Sequence, residues 1–354
     1  FTALESPIKG LSFAEQLEQM RDQNATGARI VAQISMRGTG LILGWRATFH
    51  PFSQRASWKA IAGKSWEEQW RHLNDPVFRA QLLGERGEPT GSDLQLIADL
   101  MESAFSMQYE MRPGFNYEPT AAQSIEQCAS QEGVTPDEYA YDFMMREGGS
   151  GMIYFPLLNY ANGNLDFLEN ALNSDDCVNS LSDGGAHCGL ICDASMPTTN
   201  ISHWGRDREA GRKFPLEMLI KKQTKDTAET FGLFDRGEIK VGMLADINII
   251  DFDKLNVSHP TMIHDLPLGG RRLVQDATGY VATIKNGQVV SENGKANGVL
   301  PGKLIRGKQV CEVKTGISEV SLFDKTIRLL AVKVLSFIWR FSGKSMKTTI
   351  VSET

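Results

Sequence analysis

Hydrophobic residues recur at helical spacing close to the start of the chain. Phe13, Leu17 and Met20 fall on one face of a predicted amphipathic helix. Ser12, followed three positions later by Glu15, has the pattern of a capping box. In that arrangement each side chain accepts a hydrogen bond from the other residue's backbone N–H. The pattern therefore predicts where this first helix begins.

Helical patterns then alternate with short apolar strands. Strands are predicted over residues 28–35, over residues 152–155 and in the run that ends at Asp183. Strands that are apolar throughout and separated by helices indicate a parallel sheet covered on both faces. The stretch between residues 36 and 58 is predicted to be a long loop. The helical patterns are those at residues 65–86, 121–132 and 136–147.

The pattern of apolar and polar residues changes at residue 237. Residues 237–307 consist of short alternating runs divided by glycines, which predicts a small β domain. Asn286-Gly287 between two such runs is a strong hairpin signal. We therefore divide the chain at residues 236 and 307, with residues 1–236 as an α/β domain and residues 308–354 as a third segment.

The third segment carries one apolar helical face interrupted by basic residues. Its uncharged runs are far shorter than the roughly 20 residues that a membrane helix needs. Two interpretations stay open: a basic amphipathic helix on a membrane or partner, and a tail that packs against nothing. We favour the second and expect no membrane partner. The apolar face consists of Phe323, Ile327, Leu330, Val334, Phe337 and Phe341.

Composition narrows the function only modestly. The chain has 354 residues, a formal net charge of −6 and a sequence pI of about 5.6, which argues against nucleic acid as the main partner. Five cysteines form no disulfide scaffold, so a reducing, cytoplasmic location is expected. Cys188 and Cys192 with His187 have part of the spacing of a metal site, but no second pair completes it.

Asp183 is the candidate for chemistry that the pattern itself picks out. It stands at the end of an apolar run, before Gly184-Gly185 and close to His187. At the end of a parallel strand it would lie on the edge where α/β barrels carry their catalytic groups. The alternative is an aspartate that only caps a turn, which is common before glycine.

Two motifs resemble the amidohydrolase superfamily, and within it the branch of N-acyl-D-amino-acid deacylases (D-aminoacylases). They are Ser182-Asp-Gly-Gly-Ala-His187 and the glycine-rich run from Gly237 to Asp251. The stretch from Gln223 to Gly237 is similar to a T-x-x-x-A-x-x-x-G-L-x-D-R-G run of that branch. The resemblance covers roughly residues 12–307.

The resemblance implies a fold, a cofactor and a catalytic residue. The fold would be a (β/α)8 TIM barrel with a small β-sandwich domain, and the cofactor a divalent metal, usually zinc. A metal lowers the pKa of its bound water to near 7. Asp183 stands where the family has an aspartate that contacts the metal and carries the water's proton to the leaving amine. We assign His187 beside it as a further catalytic residue.

Two departures from the family pattern accompany the resemblance. The chain contains no His-x-His, and by the resemblance we expect it to begin near the fourth or fifth barrel strand, as a fragment that is inactive alone. Where the family has Ser-His-x-Lys, this chain has Ser35-Met36-Arg37-Gly38. Methionine does not replace imidazole at a zinc–hydroxide centre. The metal would then have fewer ligands, or use His187 or His50.

Two function hypotheses follow. The first is a metal-dependent hydrolase of amide C–N bonds, with an N-acyl-D-amino acid as the leading substrate. Arg206 and Arg208 are its candidates for binding the substrate carboxylate, because guanidinium grips carboxylate through two parallel hydrogen bonds. The alternative, which stays equally open, is that both arginines belong to a run of solvated charged residues. The second hypothesis is a barrel that has lost catalysis and binds a ligand or partner. Assembly into a homo-oligomer stays open.

Overall fold

The computed structural model describes residues 1–5, 12–89, 95–160, 162–182 and 187–306. Asp183, with the three residues after it, lies outside the described residues, and so does the segment from residue 308 onward. Neither the tail hypothesis nor the geometry at Asp183 is therefore addressed by the fold. No helix within the described ranges is long and apolar enough to cross a bilayer.

The helices begin where their capping residues predict. Ser12 and Glu15 form the predicted capping box, with the Ser12 side chain accepting from the Glu15 N–H at 3.3 Å. Asp75 caps the helix that Pro76 opens, accepting from the Val77 N–H at 2.9 Å. The helices are α1 (Phe13–Ala25), α2 (Ala56–Ile61), α3 (Trp66–Leu73), α4 (Pro76–Gly84), α5 (Gln95–Ser103), α6 (Ile125–Glu132), α7 (Pro136–Gly149), α8 (Asp166–Leu172), α9 (Met196–Ser202), α10 (Leu216–Lys221) and α11 (Thr227–Thr230).

One pair of strands is parallel, as the sequence predicts. Strand β1 (Ala32–Ile34) lies beside a strand over Cys177–Asn179, with Ala32 opposite Cys177. The pairing extends one step further, because the Ser180 N–H donates to the Ile34 carbonyl at 2.9 Å. The predicted strand before Asp183 is therefore confirmed over Cys177–Asn179, and its pairing ends at Ser180.

The second sheet corrects two expectations. Strand β2 (Thr39–Leu43) lies inside the stretch predicted to be a loop, and it pairs with β4 (Met152–Leu158). A short strand β3 (Tyr109–Met111) pairs with the other edge of β4. Both pairings are antiparallel, so the prediction of a parallel sheet throughout is wrong here. The apolar run Leu41–Leu43 after Gly40 is too short to predict a strand from the sequence. The residues form a strand because they pair with β4.

Two apolar cores fill this part of the chain. The first lies around β1 and helices α1 and α8, and Phe13, Leu168 and Trp204 are among its buried members. The second lies between β2 and the helices α2 to α7, around Trp45 and Phe52. Two glycines permit close packing there. A Cβ atom at Gly40 would overlap the Phe155 carbonyl oxygen, and one at Gly151 would overlap that of Phe143.

The region from residue 237 onward is β structure, as predicted. It contains a four-stranded antiparallel sheet and two further strand pairs. Asn286 and Gly287, with φ of 51° and 75°, form the predicted turn between two strands of the larger sheet. After β5 (Cys177–Asn179), the strands are β6 (Ile247–Ile250), β7 (Asn256–Val257), β8 (Thr261–Leu266), β9 (Gly270–Val274), β10 (Ala277–Thr278), β11 (Tyr280–Lys285), β12 (Gln288–Glu292) and β13 (Lys295–Ala296).

The mixed content of helices and strands confirms the predicted α/β class. The strands of the described residues pair as several small sheets, which do not close into a barrel. The domain boundaries at residues 236 and 307 stay predictions.

Candidate functional site

A pocket lies where α9, the turn after β3 and the first strands of the β region meet. Its volume is about 230 Å³, enough for a small polar molecule. Its walls combine amide, hydroxyl and imidazole groups with a few apolar side chains. The lining residues are Met111, Gly114, Phe115, Asn116, Tyr117, Thr199, His203, Asp207, Asn256, Val257, Ser258, His259, Pro260 and Gln275.

The helix that carries His203 changes its winding at this residue. Helix α9 continues directly into a π-helical turn over His203–Asp207. The wider turn places one residue more in each turn than an α-helix does, and such turns are frequent at functional sites. His203 and Asp207, at the two ends of this turn, both line the pocket.

His203 is held by a carboxylate. Its Nε2 lies 3.0 Å from Oε2 of Glu118, and the ring is only 7% exposed. Burial alone would raise the pKa of Glu118, but the hydrogen bonds from His203 and Arg208 lower it to about 2. Glu118 is therefore ionised at neutral pH and accepts from the Nε2–H of the imidazole. This leaves Nδ1 as the ring nitrogen that makes no hydrogen bond to the described residues.

Arg208, one of the two predicted substrate-binding residues, is buried and forms ion pairs with carboxylates of the protein. Its Nε and Nη2 donate to the two carboxylate oxygens of Glu118 at 2.9 and 3.0 Å. It also pairs with Glu169 and, at 3.2 Å, with Asp166. The guanidinium has no exposed surface and lies 4.5 Å above the ring of Trp204. Its observed contacts hold Glu118 in place.

Arg206, the other predicted substrate ligand, lies closer to the surface. It pairs with the neighbouring Asp207 at 2.6 Å and donates to the carbonyl of Leu255 at 2.7 Å, as well as to that of Phe252. Arg206 therefore joins the π-helical turn to the β region. The proposed role of both arginines in binding a substrate carboxylate stays a prediction.

A second buried arginine, Arg37, contacts residues that line the pocket. Arg37 is 1% exposed, and its carbon Cζ lies 3.7 Å from the centroid of the Tyr117 ring. It donates to Ser195 Oγ at 3.0 Å and to Thr199 Oγ1 at 3.2 Å, and lies 3.6 Å from Asp193. Burial would lower the pKa of Arg37, but its electrostatic interactions with Tyr117 and Asp193 raise it above its ordinary value. The group is therefore a fixed cation beneath the pocket wall.

Gln275 connects this network to the β region. Its Oε1 accepts from Ser195 Oγ, and its Nε2 donates to the Tyr117 hydroxyl at 3.0 Å and to the Ser258 carbonyl at 2.7 Å. Burial raises the pKa of Tyr117, so its hydroxyl stays protonated. Residues from both predicted domains thus build one wall of the pocket.

The residues predicted from the sequence are not all brought together. His187 does not line this pocket; it has a positive φ of 55°, and its carbonyl accepts from the N–H groups of Leu190 and Ile191. The position of Asp183 lies outside the described residues. Met36 is 1% exposed, and its carbonyl accepts from Trp204 Nε1 at 2.7 Å. Its sulfur-bearing side chain therefore occupies buried space where the resemblance expects a histidine.

His50 is a structural histidine in this fold. Its ring packs between Trp45 and Trp58, with centroid distances of 4.4 and 4.2 Å, and its Nδ1 accepts from the Phe52 N–H at 3.2 Å. Burial, with the positive charge of Arg55, lowers its pKa well below the usual value, so it is neutral. A neutral imidazole is the form that binds metals, but among the described residues His50 belongs to no group of three side chains that could hold a metal ion.

The described part of the chain does not fit a metal ion. No three His, Cys, Asp or Glu side chains come together there. The Glu118 carboxylate is already taken by Arg208 and His203. The ring nitrogens of His259, in the same pocket, lie 2.8 and 2.9 Å from carbonyl oxygens. A metal would need donors beyond those that these ranges supply.

No sequence pattern predicts the pair of His203 and Glu118. The two residues are 85 positions apart, and neither stands in a motif or at the end of a predicted strand. Glu118 lies in the irregular stretch between β3 and α6. Only the fold brings the two residues together.

Comparison with known protein families identifies one family. A model described as the amidohydrolase family matches residues 14–291. No curated protein matches the chain. Two similar solved structures are a D-aminoacylase (23% identity, TM-score 0.29, 54% of this chain and 36% of that one) and a D-aminoacylase variant with copper chloride (16%, 0.33, 81% and 51%).

A third similar structure is the N-acyl-D-glutamate deacylase of Bordetella bronchiseptica with zinc and a phosphonate inhibitor. It is 14% identical with a TM-score of 0.34, and the match covers 80% of this chain and 45% of that one. The present chain thus spans between about a third and a half of the length of these structures.

Proposed function

The chain belongs to the amidohydrolase family, and from this premise we propose that it is part of a metal-dependent hydrolase of non-peptide amide bonds. The family membership agrees with the resemblance seen in the motifs at Ser182–His187 and Gly237–Asp251. The single observation that supports the proposal most is the family match over residues 14–291. The proposed architecture is a barrel with a small β-sandwich.

An N-acyl-D-amino acid is the proposed substrate class. The stretch from Gln223 to Gly237 is similar to the run typical of the deacylase branch. Such a substrate carries a free carboxylate and a secondary amide. The pocket beside His203 offers groups that can hydrogen-bond the amide part, among them Asn116 and Tyr117.

Asp183 is the proposed catalytic base and metal ligand, with His187 beside it. Because the described residues do not hold a metal, its ligands would lie outside them, and Asp183 is the residue of this chain that the resemblance places among them. A bound divalent ion would supply a water of lowered pKa. Zinc is the proposed ion.

The test is hydrolysis by the full-length protein of N-acetyl-D-amino acids and their L-enantiomers, measured as amine released. We expect turnover of the D-series, and a loss of about 10²–10⁴-fold in Asp183→Asn, the usual cost of removing a positioned general base. Asp22→Asn, an exposed change on helix α1, is the matched control and should keep full activity. Unchanged turnover in Asp183→Asn would refute the assignment.

One observation favours a second candidate, a ligand-binding protein that has lost catalysis. Met36 is buried at a position where the family resemblance expects a metal-binding histidine. Elemental analysis of the purified full-length protein separates the two candidates. A hydrolase should contain about one or more divalent ions per chain, while a degenerate binding protein should contain none and release no amine.

A further inference from the structure

We propose that a second pocket, which shares His259 and Pro260 with the first, binds a free α-amino acid with an apolar side chain. Its walls come from the turn after β2, the end of α7 and the start of β8. Its volume is about 230 Å³, below the roughly 300–1,000 Å³ of pockets for drug-sized ligands, so its occupant is small. The inference goes beyond the proposed amide hydrolysis and does not depend on it.

Arg46 supplies the positive charge of this pocket. Its carbon Cζ lies 4.4 Å from the ring centroid of Trp66, and its Nη2 donates to the Gly148 carbonyl at 3.3 Å. These contacts orient the guanidinium, and none of the described residues gives it a carboxylate partner. A guanidinium has five N–H donors and stays charged in proteins. Donors on its terminal nitrogens therefore remain for the carboxylate of a ligand.

Glu147 supplies the opposite charge. The backbone leaves the helical conformation at the end of α7, where Glu147, Gly148 and Gly149 have φ of 50°, 68° and 83°. A residue with a side chain rarely adopts such left-handed angles. The turn places Glu147 on the wall of the pocket, and its carboxylate forms no ion pair or hydrogen bond with the described residues. The carboxylate is thus available to an ammonium group.

Opposite charges in one small pocket select a zwitterion. A simple anion would be repelled by Glu147, and a simple cation would be repelled by Arg46. The two side chains form no ion pair with each other, which leaves both for a ligand. An α-amino acid satisfies both because one carbon atom carries its carboxylate and its ammonium group.

The apolar part of the wall suits the side chain of the ligand. The imidazole of His259 adds no free polar group, since both ring nitrogens lie against carbonyl oxygens. Methionine side chains adapt their shape to an apolar group. The pocket therefore favours an aliphatic amino acid such as leucine. The apolar lining residues are Ala47, Met152, Pro260 and Met262.

The test is calorimetric titration of the full-length protein with L-leucine and with D-leucine, without any substrate. We expect at least one of them to bind with a Kd of about 1 mM or below. Isocaproate has the same side chain but lacks the ammonium group, and isoamylamine lacks the carboxylate. Each should bind at least about tenfold more weakly, the effect of losing a hydrogen bond to a charged group. Absence of leucine binding, or equal affinity for either analogue, would overturn the proposal.

Variants locate the binding. Arg46→Gln and Glu147→Gln should each weaken leucine binding by about 10- to 100-fold. The matched controls Arg71→Gln and Glu132→Gln remove exposed charges from α3 and α6 and should bind as the wild type does. Leucine binding that both pocket variants retain lies elsewhere and refutes the proposal.

The two analogues and Glu147→Gln still decide the matter if Arg46→Gln fails to fold. Hydrolysis of N-acetyl-D-amino acids is measured separately. A protein that binds leucine in this pocket but releases no amine keeps this inference and loses the proposed function. A protein that hydrolyses the amides but fails the titration keeps the function and loses this inference.

Discussion

Two regions of the described chain, before and after residue 230, use their apolar residues differently. Before residue 231 the strands and helices enclose two apolar cores and several fully buried arginines. After residue 230, Leu255 and Leu273 are the buried side chains among the aliphatic and aromatic residues that the structure describes. Ile239 and Val241 are 85% and 102% exposed there. Apolar residues therefore form a core in the region before residue 231 and lie largely at the surface after it.

This difference in burial indicates that the region before residue 231 contributes most of the stability. Buried ion pairs there are protected from water, so removing one partner leaves an uncompensated charge. In the β region the ion pairs of Lys254 and Arg272 are exposed and contribute little. The three predictions below test this contrast, from the largest expected effect to the smallest.

The largest effect should come from Arg208→Met. It leaves the carboxylates of Glu118 and Glu169 without their cation, one of them buried, and should cost about 3–5 kcal/mol in the free energy of unfolding. Arg206→Met is the matched comparison, since Arg206 is partly exposed and its partner Asp207 is half-exposed. Urea titration of both variants measures the difference. Similar losses in the two variants would contradict the burial argument.

The second prediction concerns the stability of the protein at low pH. The pKa of Glu118 is lowered from its ordinary 4.5 to about 2 by its hydrogen-bond partners, although burial opposes this. Its stabilising contribution is fully present above pH 4.5 and is lost as the pH falls toward 2, with a size on the order of 3 kcal/mol.

Urea titrations between pH 6 and pH 2 should show this component in the wild type and not in Glu118→Gln. The variant should be less stable at neutral pH, and the two proteins should approach one another in stability at the acid end. Parallel curves over the whole range would mean that Glu118 is not the group responsible.

The smallest effect should come from the β region. Ile239→Ser and Val241→Ser replace exposed side chains, so each should change the free energy of unfolding by no more than about 0.5 kcal/mol. The double variant should also bind less of a hydrophobic dye. Leu273→Ser, at a buried position of the same region, is the contrasting control and should destabilise the protein clearly. A large loss in Val241→Ser would show that this surface is covered in solution.

The sequence by itself determined the local elements. Ser12 with Glu15, Asp75 with Pro76, and Asn286 with Gly287 specify helix starts and a turn through hydrogen bonds and backbone angles that involve only near neighbours. Motifs such as that at Ser182–His187 also pointed to the family, because residues close in sequence carry them. The tail from residue 308 onward and the role of Asp183 lie outside the described residues and stay predictions.

The tertiary structure alone decided which distant segments meet. The sheet of β2, β3 and β4 is antiparallel, although the apolar strands alone suggested a parallel one, because strand direction depends on the connections and not on the pattern within a strand. Glu118 meets His203 and Arg208 across 85 and 90 positions. No local propensity encodes such contacts; they form because packing of the two cores brings these side chains into one buried place, where each polar group must find a partner.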